Sequence, residues 1–505
     1  MRAGGMRVSK TNFLSYRECA HDAWVRVHKP EIYSCFPLSE FEQALIETGQ
    51  DVDALARELF PGGVLIERED HERTATEVSA RAPVLYQAVF QTPDYTTACD
   101  ILKWNASKKA YDLYEVKSST SNATKDRDEL FTYDLAFQVN VLRQCGVPVG
   151  QFFLVRLRST YERGEELDLM GLFAVEDFTA RVEQVLEALP AEMQASVDWQ
   201  RRETQPAAPC QCIYRGRSSH CTTFAYMNPD VPGYSVHDIA RIGSSRAKLT
   251  ELINRGALSI LDVPEDFELT AIQRNQVRAA QSRAVFVNAL AIAAFVKRAH
   301  FPISFLDYET YPCAIPRFRG YRPFDQIPFQ FSVHILREPQ GTLEHHEFLH
   351  TSAECPDGEF IAALDRVLPA NGSVAVWSEQ FEKGINDALA ARNPDAEGFL
   401  ASVNKRVVDL IDVFADQSYV HPGFKGRTSI KAVLPALVPA LSYESLAIQD
   451  GAAACETWNR LVSGRLDVSG RQKRRSSRQS SKSRTGRLCD RNSKSRRCHA
   501  GGSIL

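Results

Sequence analysis

The chain has 505 residues, a mass of 56.6 kDa, 44% apolar residues and a formal net charge of −3, so it is too long for one hydrophobic core and two or three domains are expected. It contains no run of eighteen apolar residues, and its start, MRAGGMRVSK, lacks the apolar segment of a signal peptide, which argues against a membrane or secreted protein and predicts a cytoplasmic one. Thirteen Lys or Arg and two acids give residues 465–505 a charge of +11 and leave −14 on the remainder, so net charge neither identifies nor excludes a nucleic-acid partner.

The pattern of residues 1–235 predicts a first domain in which a helix, a meander of strands, a second helix and a further strand follow one another. The helical pattern FEQALIETGQDVDALARELFPGG ends at a Pro-Gly-Gly stop. Three strand-like segments follow, PVLYQAVF, TTACDILKW and AYDLYEVKSS. A second helix, LAFQVNVLRQCG, precedes the strand GQFFLVRL.

From residue 205 onward, the end of the first domain included, the sequence pattern divides the chain into four segments. Residues 205–235 are rich in Pro, Cys, Ser and Gly, a composition that predicts a loop stabilised by something other than the packing of apolar side chains. Residues 236–300 predict a helical bridge, with AKLTELINRG and AIQRNQVRAAQSRAVFVNALAIAAFVKRA as its clearest stretches. Residues 301–464 alternate strands and helices and predict a second α/β domain, whereas the Arg/Ser-rich residues 465–505 predict disorder.

The first candidate site lies in the strand LYEVKSS. Side chains alternate along a strand, so Glu115 and Lys117 share a face, and Asp100 ends the preceding strand-like run, where an antiparallel neighbour brings it beside Glu115. Two carboxylates and an ammonium can bind a divalent metal, activate water and stabilise charge on a phosphate. A solvated cross-strand ion pair is the structural alternative, but the apolar neighbours predict burial on at least one face.

These residues resemble the PD-(D/E)XK nuclease pattern of the RecB type. The resemblance implies that Asp100 and Glu115 hold Mg²⁺ or Mn²⁺, that Lys117 is the catalytic lysine, and that Gln138 is the supporting helix glutamine. RecB-type nucleases often have a Tyr four residues after that Gln, where this chain has Leu142. They often also have an upstream acid, for which four candidates remain open: Glu47, Asp51, Asp53 and Glu58.

Three of the twelve cysteines are clustered in CQCIYRGRSSHC, namely Cys210, Cys212 and Cys221, and Cys19 lies far upstream. In a long chain without a secretory signal, such thiols indicate free cysteines or metal ligands. Four thiolates suit a soft metal or an iron–sulfur cluster, and the C-x-C-x8-C spacing differs from the C-x2-C of most zinc sites. The arrangement resembles RecB-family nucleases with a 4Fe-4S cluster, which implies those four cysteines as ligands. Zn²⁺, with His220 as a spare ligand, and no metal at all remain alternatives.

The second candidate site lies in the strand FLDYET, where Asp307 and Glu309 share a face and could bridge two metal ions. The segment resembles the first motif of RNase H-like, DEDD-type 3′-5′ exonucleases. VAVWSEQFEKGINDAL resembles their second motif, with Glu382 in the Asp place and Ser378 in the Asn place, and Asp409 falls in a segment resembling the following strand.

Such exonucleases need a closing helix that brings a last aspartate to the metals, and no such helix follows AACETWNRLVSG. The abrupt change to an Arg/Ser-rich run indicates either a frameshift or a natural basic arm for nucleic acid. The second domain is therefore predicted to be incomplete.

From about residue 7 to 462 the chain resembles the bacterial family of domain of unknown function 2779, through YEVKSST, FLDYETYPCAIPRFRGYRPFDQIPFQFSVH, FEKG, HPGFKGRTSIKAVLPALVP and LSYESLAIQDG. The resemblances together predict a mixed α/β chain with a PD-(D/E)XK domain, a helical bridge and an RNase H-like domain. The predicted function is a metal-dependent nuclease acting on DNA. The alternatives are a catalytically inactive nucleic-acid-binding or scaffold protein and a metal-cluster sensor.

Overall fold

The computed structural model describes residues 6–122, 124–439 and 451–465. Its contacts divide the chain into two compact units: unit 1 comprises Met1–Val231 and Cys313–Asp325, and unit 2 comprises Pro232–Pro312 and Gln326–Leu505. Residues 466–505 of the predicted basic tail and most of the LSYESLAIQDG motif lie outside the described residues. Among the helices that are described, none has the length and apolar character needed to cross a lipid bilayer.

Unit 1 combines helices with a mixed sheet. Its helices are α1 (Lys10–Glu18), α2 (Ala20–His28), α3 (Pro30–Tyr33), α4 (Glu40–Arg57), α5 (His71–Ser79), α6 (Lys125–Gln144), α7 (Leu169–Leu172), α8 (Thr179–Leu186), α9 (Leu189–Gln200) and α10 (Phe224–Met227). Its strands are β1 (Val8–Ser9), β2 (Val64–Leu65), β3 (Val84–Gln91), β4 (Tyr95–Asn105), β5 (Ala110–Thr120), β6 (Val149–Leu157) and β7 (Phe173–Asp177).

The seven-stranded sheet of unit 1 has the order β2-β3-β4-β5-β6-β7, with β1 paired to β4. Strands β3, β4 and β5 form an antiparallel meander, and α6 connects β5 to the parallel strand β6. The predicted sequence of helix, meander, helix and strand is therefore confirmed. Because a crossover returns the chain to the same sheet, α6 lies against one sheet face, where it contacts β3, β4 and β6.

Apolar residues cover both faces of this sheet. On one face, α6 contributes Leu135, Val139 and Leu142 to a core that also contains strand residues. On the other face, Val52 and Ala56 of α4 belong to a second core. The sheet is buried on both sides, which explains why β5 has seven consecutive buried residues and why a charged residue within it must find partners.

Residues 205–231 contain short helical turns: 3₁₀ turns at Gln211–Tyr214 and Arg217–Ser219, and α10. They pack with α2 in a small core of their own that includes Trp24, Val25 and Met227 together with three cysteines. The loop predicted for this segment thus consists of turns arranged around thiols.

Unit 2 also combines helices with a mixed sheet. Its helices are α11 (Arg246–Asn254), α12 (Ala271–Ser282), α13 (Ala289–Val296), α14 (Asp357–Val367), α15 (Glu379–Arg392), α16 (Glu397–Lys405), α17 (Asp412–Ala415), α18 (Ile430–Leu437) and α19 (Gly451–Val462). Its strands are β8 (Phe286–Val287), β9 (Ile303–Pro312), β10 (Gln326–Leu336), β11 (Leu343–Leu349), β12 (Ser373–Val376), β13 (Val407–Asp409) and β14 (Tyr419–Val420).

The five-stranded sheet of unit 2 has the order β11-β10-β9-β12-β13. Strand β10 is antiparallel to both neighbours, whereas β9, β12 and β13 are parallel. Leu306 and Tyr308 of β9 pack in one core with α14, α15 and α16. Burial alternates along β9, so its odd-numbered residues, including Asp307 and Glu309, are partly exposed.

The predicted helical bridge, residues 236–300, belongs to unit 2 and is less helical than its pattern indicated. The stretch 271–299 was expected to be helical throughout, but α12 ends at Ser282, and Arg283 adopts a left-handed conformation with φ 53°. The run Val285–Val287 then supplies β8, which pairs with β14. Asn288 caps α13 by accepting a hydrogen bond from the Ala291 amide. The expected continuous helix is therefore replaced by a short strand rich in β-branched residues and a second, separately capped helix.

Candidate active site and metal centre

The register of β4 and β5 brings Asp100 beside Glu115. Backbone pairing of the two strands runs as far as Ile101 opposite Tyr114, one residue short of the two acids. Beyond that point the Asp100 side chain replaces the backbone as hydrogen-bond acceptor, because its Oδ2 accepts a hydrogen bond from the Val116 amide at 2.8 Å. The structure therefore brings these two predicted site residues together.

Glu115 lies at the centre of a polar cluster although only 2% of it is exposed. Its Oε1 accepts hydrogen bonds from Lys117 Nζ and Lys10 Nζ, each at 2.7 Å. Its Oε2 accepts one from Gln138 Nε2 at 2.7 Å. The predicted residues Lys117 and Gln138 are thus both hydrogen-bonded to Glu115. Lys10, from the first turn of α1, also belongs to this cluster and was not predicted from the sequence.

Asp134 is a second missed residue of this cluster. It lies one helical turn before Gln138 on α6, is 3% exposed, and accepts a hydrogen bond from Gln138 at 2.9 Å. Lys117 Nζ is 2.6 Å from Asp134 Oδ2, and Lys10 Nζ is 3.2 Å from Oδ1. The i, i+4 spacing of Asp134 and Gln138 in DLAFQ was the available signal, since it places both on one helix face.

Opposite charges set the protonation of this cluster. Burial by itself raises the pKa of Glu115, but Lys10 and Lys117 outweigh burial and hold that pKa well below its usual range. Burial likewise lowers the pKa of Lys117, but Asp134 and Glu115 outweigh it and raise the pKa above its ordinary value. Glu115 and both lysines are therefore charged near neutral pH.

Asp100 behaves differently from Glu115. Burial, followed by repulsion from the Glu115 carboxylate, raises the pKa of Asp100 to about 7, against the opposing effect of the two lysines. A carboxyl group whose pKa lies near neutrality is one that a bound cation would favour in its ionised form. Such a perturbed acid in a cluster of charges is typical of a functional site.

Among the four candidate upstream acids, Asp53 on α4 reaches this cluster through Gln87. Gln87 Nε2 is 3.2 Å from both Asp53 Oδ2 and Asp100 Oδ1 and so links the two carboxylates. Burial raises the pKa of Asp53, to which the Glu115 charge also contributes, and Arg57 opposes this rise as its ion-pair partner.

Gln87 was missed because its role depends on an irregular backbone. It sits inside β3 with φ 54°, a left-handed conformation that costs a non-glycine residue about 1–2 kcal/mol. Pairing of β3 with β4 skips from Tyr86 to Ala88 at this point. Strain of this kind concentrates at functional sites, and no sequence pattern announces it.

The oxygen ligands of this cluster suit a hard divalent cation. No group of three or more His, Cys, Asp or Glu side chains at this cluster has all its ligand atoms within 4.8 Å of one another in the described ranges, so Asp100 and Glu115 are a candidate pair of ligands. Two carboxylates are sufficient for Mg²⁺, which keeps several waters and commonly binds substrate phosphates.

The four predicted cysteine ligands converge in unit 1. The Sγ atoms of Cys19, Cys210, Cys212 and Cys221 all lie within 4.8 Å of one another, the first three residues being buried and the fourth partly buried. Cys210 and Cys221 are 3.9 Å apart, and none of the four is in a disulfide. His220, the spare candidate, lies outside this group in the described chain and is within hydrogen-bonding distance of Arg215 O. Four clustered thiols are consistent with a zinc or iron–sulfur site.

Hydrogen bonds from neighbouring residues position these thiols. Asn228 Nδ2 donates to Cys210 Sγ at 3.1 Å. Asp22 accepts from the Thr223 amide at 2.8 Å and from its hydroxyl at 2.7 Å, which joins α2 to the segment after Cys221. Hydrogen bonds among the four thiols lower the pKa of Cys210 and Cys212 and raise the pKa of Cys19 and Cys221.

In unit 2, Asp307 and Glu309 share one face of β9, as predicted, and both are partly exposed. Glu382 is 4% exposed on α15, a helix that packs on the other face of β9. There Tyr308 donates a hydrogen bond to Asn386 at 3.0 Å, and burial followed by the Glu382 charge raises the pKa of Tyr308. A metal-binding role for the three acids stays a prediction.

Ser378 and Asp409 both lie at the start of α15. Ser378 is the N-cap residue, and Asp409 Oδ2 accepts a hydrogen bond from the Glu379 amide at 2.7 Å. Asp409 thereby satisfies a helix-terminal donor. Helix α19 contacts β9 and contains Glu456, which is bonded to Arg460, but it contains no aspartate.

Comparison with protein families adds one finding. Residues 304–429 match the family described as Domain of unknown function (DUF2779). The DUF2779 match runs from β9 to the residue before α18 and covers a quarter of the chain, so it includes Asp307, Glu309 and Glu382 but not the cluster around Glu115. No curated protein matches the chain.

Proposed function

We propose that the chain is a metal-dependent nuclease that hydrolyses phosphodiester bonds in DNA, with its principal site at Asp100, Glu115 and Lys117. The observation that carries this proposal is the buried cluster in which Lys117 and Gln138 both bond Glu115 beside Asp100. The arrangement is similar to the PD-(D/E)XK pattern of RecB-type nucleases. The meander, helix and parallel strand of unit 1 support the fold assignment, although a fold alone does not establish activity.

Each residue has a part in the proposed reaction. Asp100 and Glu115 would hold Mg²⁺ or Mn²⁺, which supplies an activated water and neutralises charge on the phosphate. Gln138, fixed on α6, orients Glu115 through Oε2. The Lys117 side chain is 22% exposed, and its ammonium group, held by Glu115 and Asp134, would pair with a phosphate oxygen.

We further propose that the four cysteines hold a structural metal that ties the N-terminal helices to the end of unit 1. Four thiolates around one Zn²⁺ at 2.3 Å stand about 3.8 Å apart. The separation of Cys210 and Cys221, 3.9 Å, fits a single ion. A 4Fe-4S cluster, in which each thiolate binds a different iron, needs a wider arrangement and is the alternative.

For unit 2 we propose an RNase H-like, DEDD-type exonuclease domain with Asp307 and Glu309 as its first acids; the resemblance adds Glu382, although α15 packs on the opposite face of β9. The sheet order β11-β10-β9-β12-β13 with only β10 antiparallel supports this fold, because it is the strand order of RNase H-like sheets. The absence of an aspartate in α19 leaves the proposed acid set without its last member among the described residues.

A nucleic-acid-binding scaffold without activity is the second candidate, and one observation favours it. Both oxygens of Glu115 already accept hydrogen bonds, two of them from ammonium groups. A cluster balanced in this way can be purely structural.

Degradation of labelled single- and double-stranded DNA, with RNA in parallel, tests the proposal in the presence of Mg²⁺ or Mn²⁺. We expect Lys117→Ala to reduce DNA hydrolysis by about 10²–10³-fold and the exposed-surface control Lys108→Ala to leave it unchanged. Asp307→Ala assigns any remaining activity to unit 2. Wild-type protein that binds DNA but does not cleave it would support the scaffold instead.

A further inference from the structure

Lys10 occupies oxygens that a metal would need. Its Nζ lies 2.7 Å from Glu115 Oε1 and 3.2 Å from Asp134 Oδ1. Lys117 Nζ bonds the same Glu115 oxygen at 2.7 Å. Because a carboxylate oxygen offers two lone-pair positions, the two ammonium groups together fill Oε1.

The charges of the cluster explain why two lysines are present. Glu115 and Asp134 are 2% and 3% exposed, and buried carboxylates are costly unless paired. Lys117 alone would leave one of the two negative charges uncompensated, and Lys10 balances it. A divalent cation bound to Glu115 brings two more positive charges, so the protein no longer needs Lys10 at that position.

Lys10 is held less firmly than Lys117. Its separation from Asp134 is 3.2 Å, whereas Lys117 is 2.6 Å from the same carboxylate. Lys10 is the first residue of α1, directly after the N-cap Ser9, and 21% of its side chain is exposed. Lys117, in contrast, extends from the same strand as Glu115.

Gln138 has an oxygen that could accept a further hydrogen bond. The residue is fully buried and donates both Nε2 hydrogens to Glu115 and Asp134, but among the described residues its Oε1 has no hydrogen-bond partner. Buried side-chain oxygens normally accept a hydrogen bond, so this atom marks a place for a donor such as an ordered water.

We propose that Lys10 is a placeholder cation, which bonds Glu115 Oε1 in the metal-free protein and leaves it when a divalent metal binds. The proposal rests on the proposed function only in assigning Glu115 as a metal ligand. Lys10 thereby lowers the affinity for metal and keeps the carboxylates paired until a cation is available.

Binding of Mn²⁺ to the full-length protein, followed by the electron paramagnetic resonance signal of free Mn²⁺, tests this role without any nuclease assay. We expect Lys10→Met to bind Mn²⁺ about tenfold more tightly than wild type, since the competing charge is gone. Lys10→Arg keeps the charge and is expected to bind within about twofold of wild type. The exposed control Lys108→Met is expected to match wild type.

Equal or weaker Mn²⁺ binding by Lys10→Met, or no binding by any variant, would overturn the proposal. Lys10→Gln is the second neutral variant and replaces Lys10→Met if thermal unfolding shows that the methionine variant is not folded. Tighter Mn²⁺ binding without DNA cleavage would leave this proposal standing and reject the nuclease. DNA cleavage that depends on Lys117, with unchanged Mn²⁺ binding by Lys10→Met, would support the nuclease and reject the role of Lys10.

Discussion

The acidic strands of the two units resemble each other in sequence but differ in their surroundings. Glu115 of β5 is 2% exposed and is bonded by two lysines and a glutamine. Asp307 and Glu309 of β9 are partly exposed, and the buried acid of that unit, Glu382, lies on a helix that packs against the opposite strand face. The comparison shows that neighbouring helices supply two of the partners of Glu115, namely Lys10 from α1 and Gln138 from α6.

Metal removal from the cysteine site should give the largest effect, and it should be confined to unit 1. Structural zinc sites contribute about 10–16 kcal/mol of binding free energy, so Cys212→Ser should unfold the segment around α2 and α10. Hydrogen exchange measured by mass spectrometry should show loss of protection there and unchanged protection of β9 and β10.

The exposed Cys35→Ser is the matched control for this experiment. Elemental analysis should find zinc in wild type and in Cys35→Ser but not in Cys212→Ser. Iron with absorbance near 400 nm would identify a cluster instead, and full protection of α2 in metal-free protein would contradict a structural metal.

Glu115→Gln compared with Glu309→Gln tests the contrast between the two strands directly. The first change removes the negative charge that two lysines share, and breaking a buried ion pair costs about 3–5 kcal/mol. The second acts on a partly exposed acid and should cost less than about 1 kcal/mol. Urea unfolding measures both, and equal losses would mean that the two strands have similar surroundings.

The two units should also respond oppositely to pH. Asp100 has a pKa of about 7 in the folded protein against an ordinary 3.8, so the folded state binds this proton more tightly and unit 1 loses stability as the pH rises from 4 to 7. Burial, followed by the neighbouring His345 and His346, lowers the pKa of His334 to about 4 from 6.5. Unit 2 therefore loses about 3 kcal/mol as the pH falls from 6.5 to 4.

Hydrogen exchange at pH 5 and pH 7.5 without added divalent metal, corrected for intrinsic exchange rates, checks this prediction. Glu115 does not interfere, because its lowered pKa affects stability only below pH 4.5. Asp100→Asn should reduce the pH response of unit 1, to which the raised pKa of Asp53 also contributes. His334→Gln should reduce that of unit 2, to which the lowered pKa values of His345 and His350 contribute. Parallel responses in both units would show that these two groups do not dominate.

The smallest expected effect belongs to Asp409, which lies in the segment that resembles the strand after the second motif and which accepts a hydrogen bond at the start of α15. Asp409→Ala removes the acceptor for the Glu379 amide and should cost about 0.5–2 kcal/mol. Thermal unfolding measures the loss, and any nuclease activity of unit 2 should persist in folded protein. Loss of activity at unchanged stability would instead place Asp409 in the chemistry.

Much of the secondary structure follows from the sequence. Alternating apolar residues predicted strands at β3 to β6 and at β9, β10 and β12, and helical spacing predicted α4, α6 and α11. The error lay at residues 283–288, where a short β-branched run pairs with β14 instead of continuing a helix. Local pattern could not decide this, because the pairing partner is 130 residues away in the chain.

The sequence by itself determined which side chains share a face, because strand and helix periods are local: Glu115 with Lys117, and Asp134 with Gln138. It also determined that four thiols were available as ligands. Only the tertiary structure decided that Lys10, from the first helix, joins these residues and that Gln87 links Asp53 to Asp100. Those contacts join residues up to 105 positions apart, and they form because buried carboxylates need charged or donating partners, which packing supplies from distant parts of the chain.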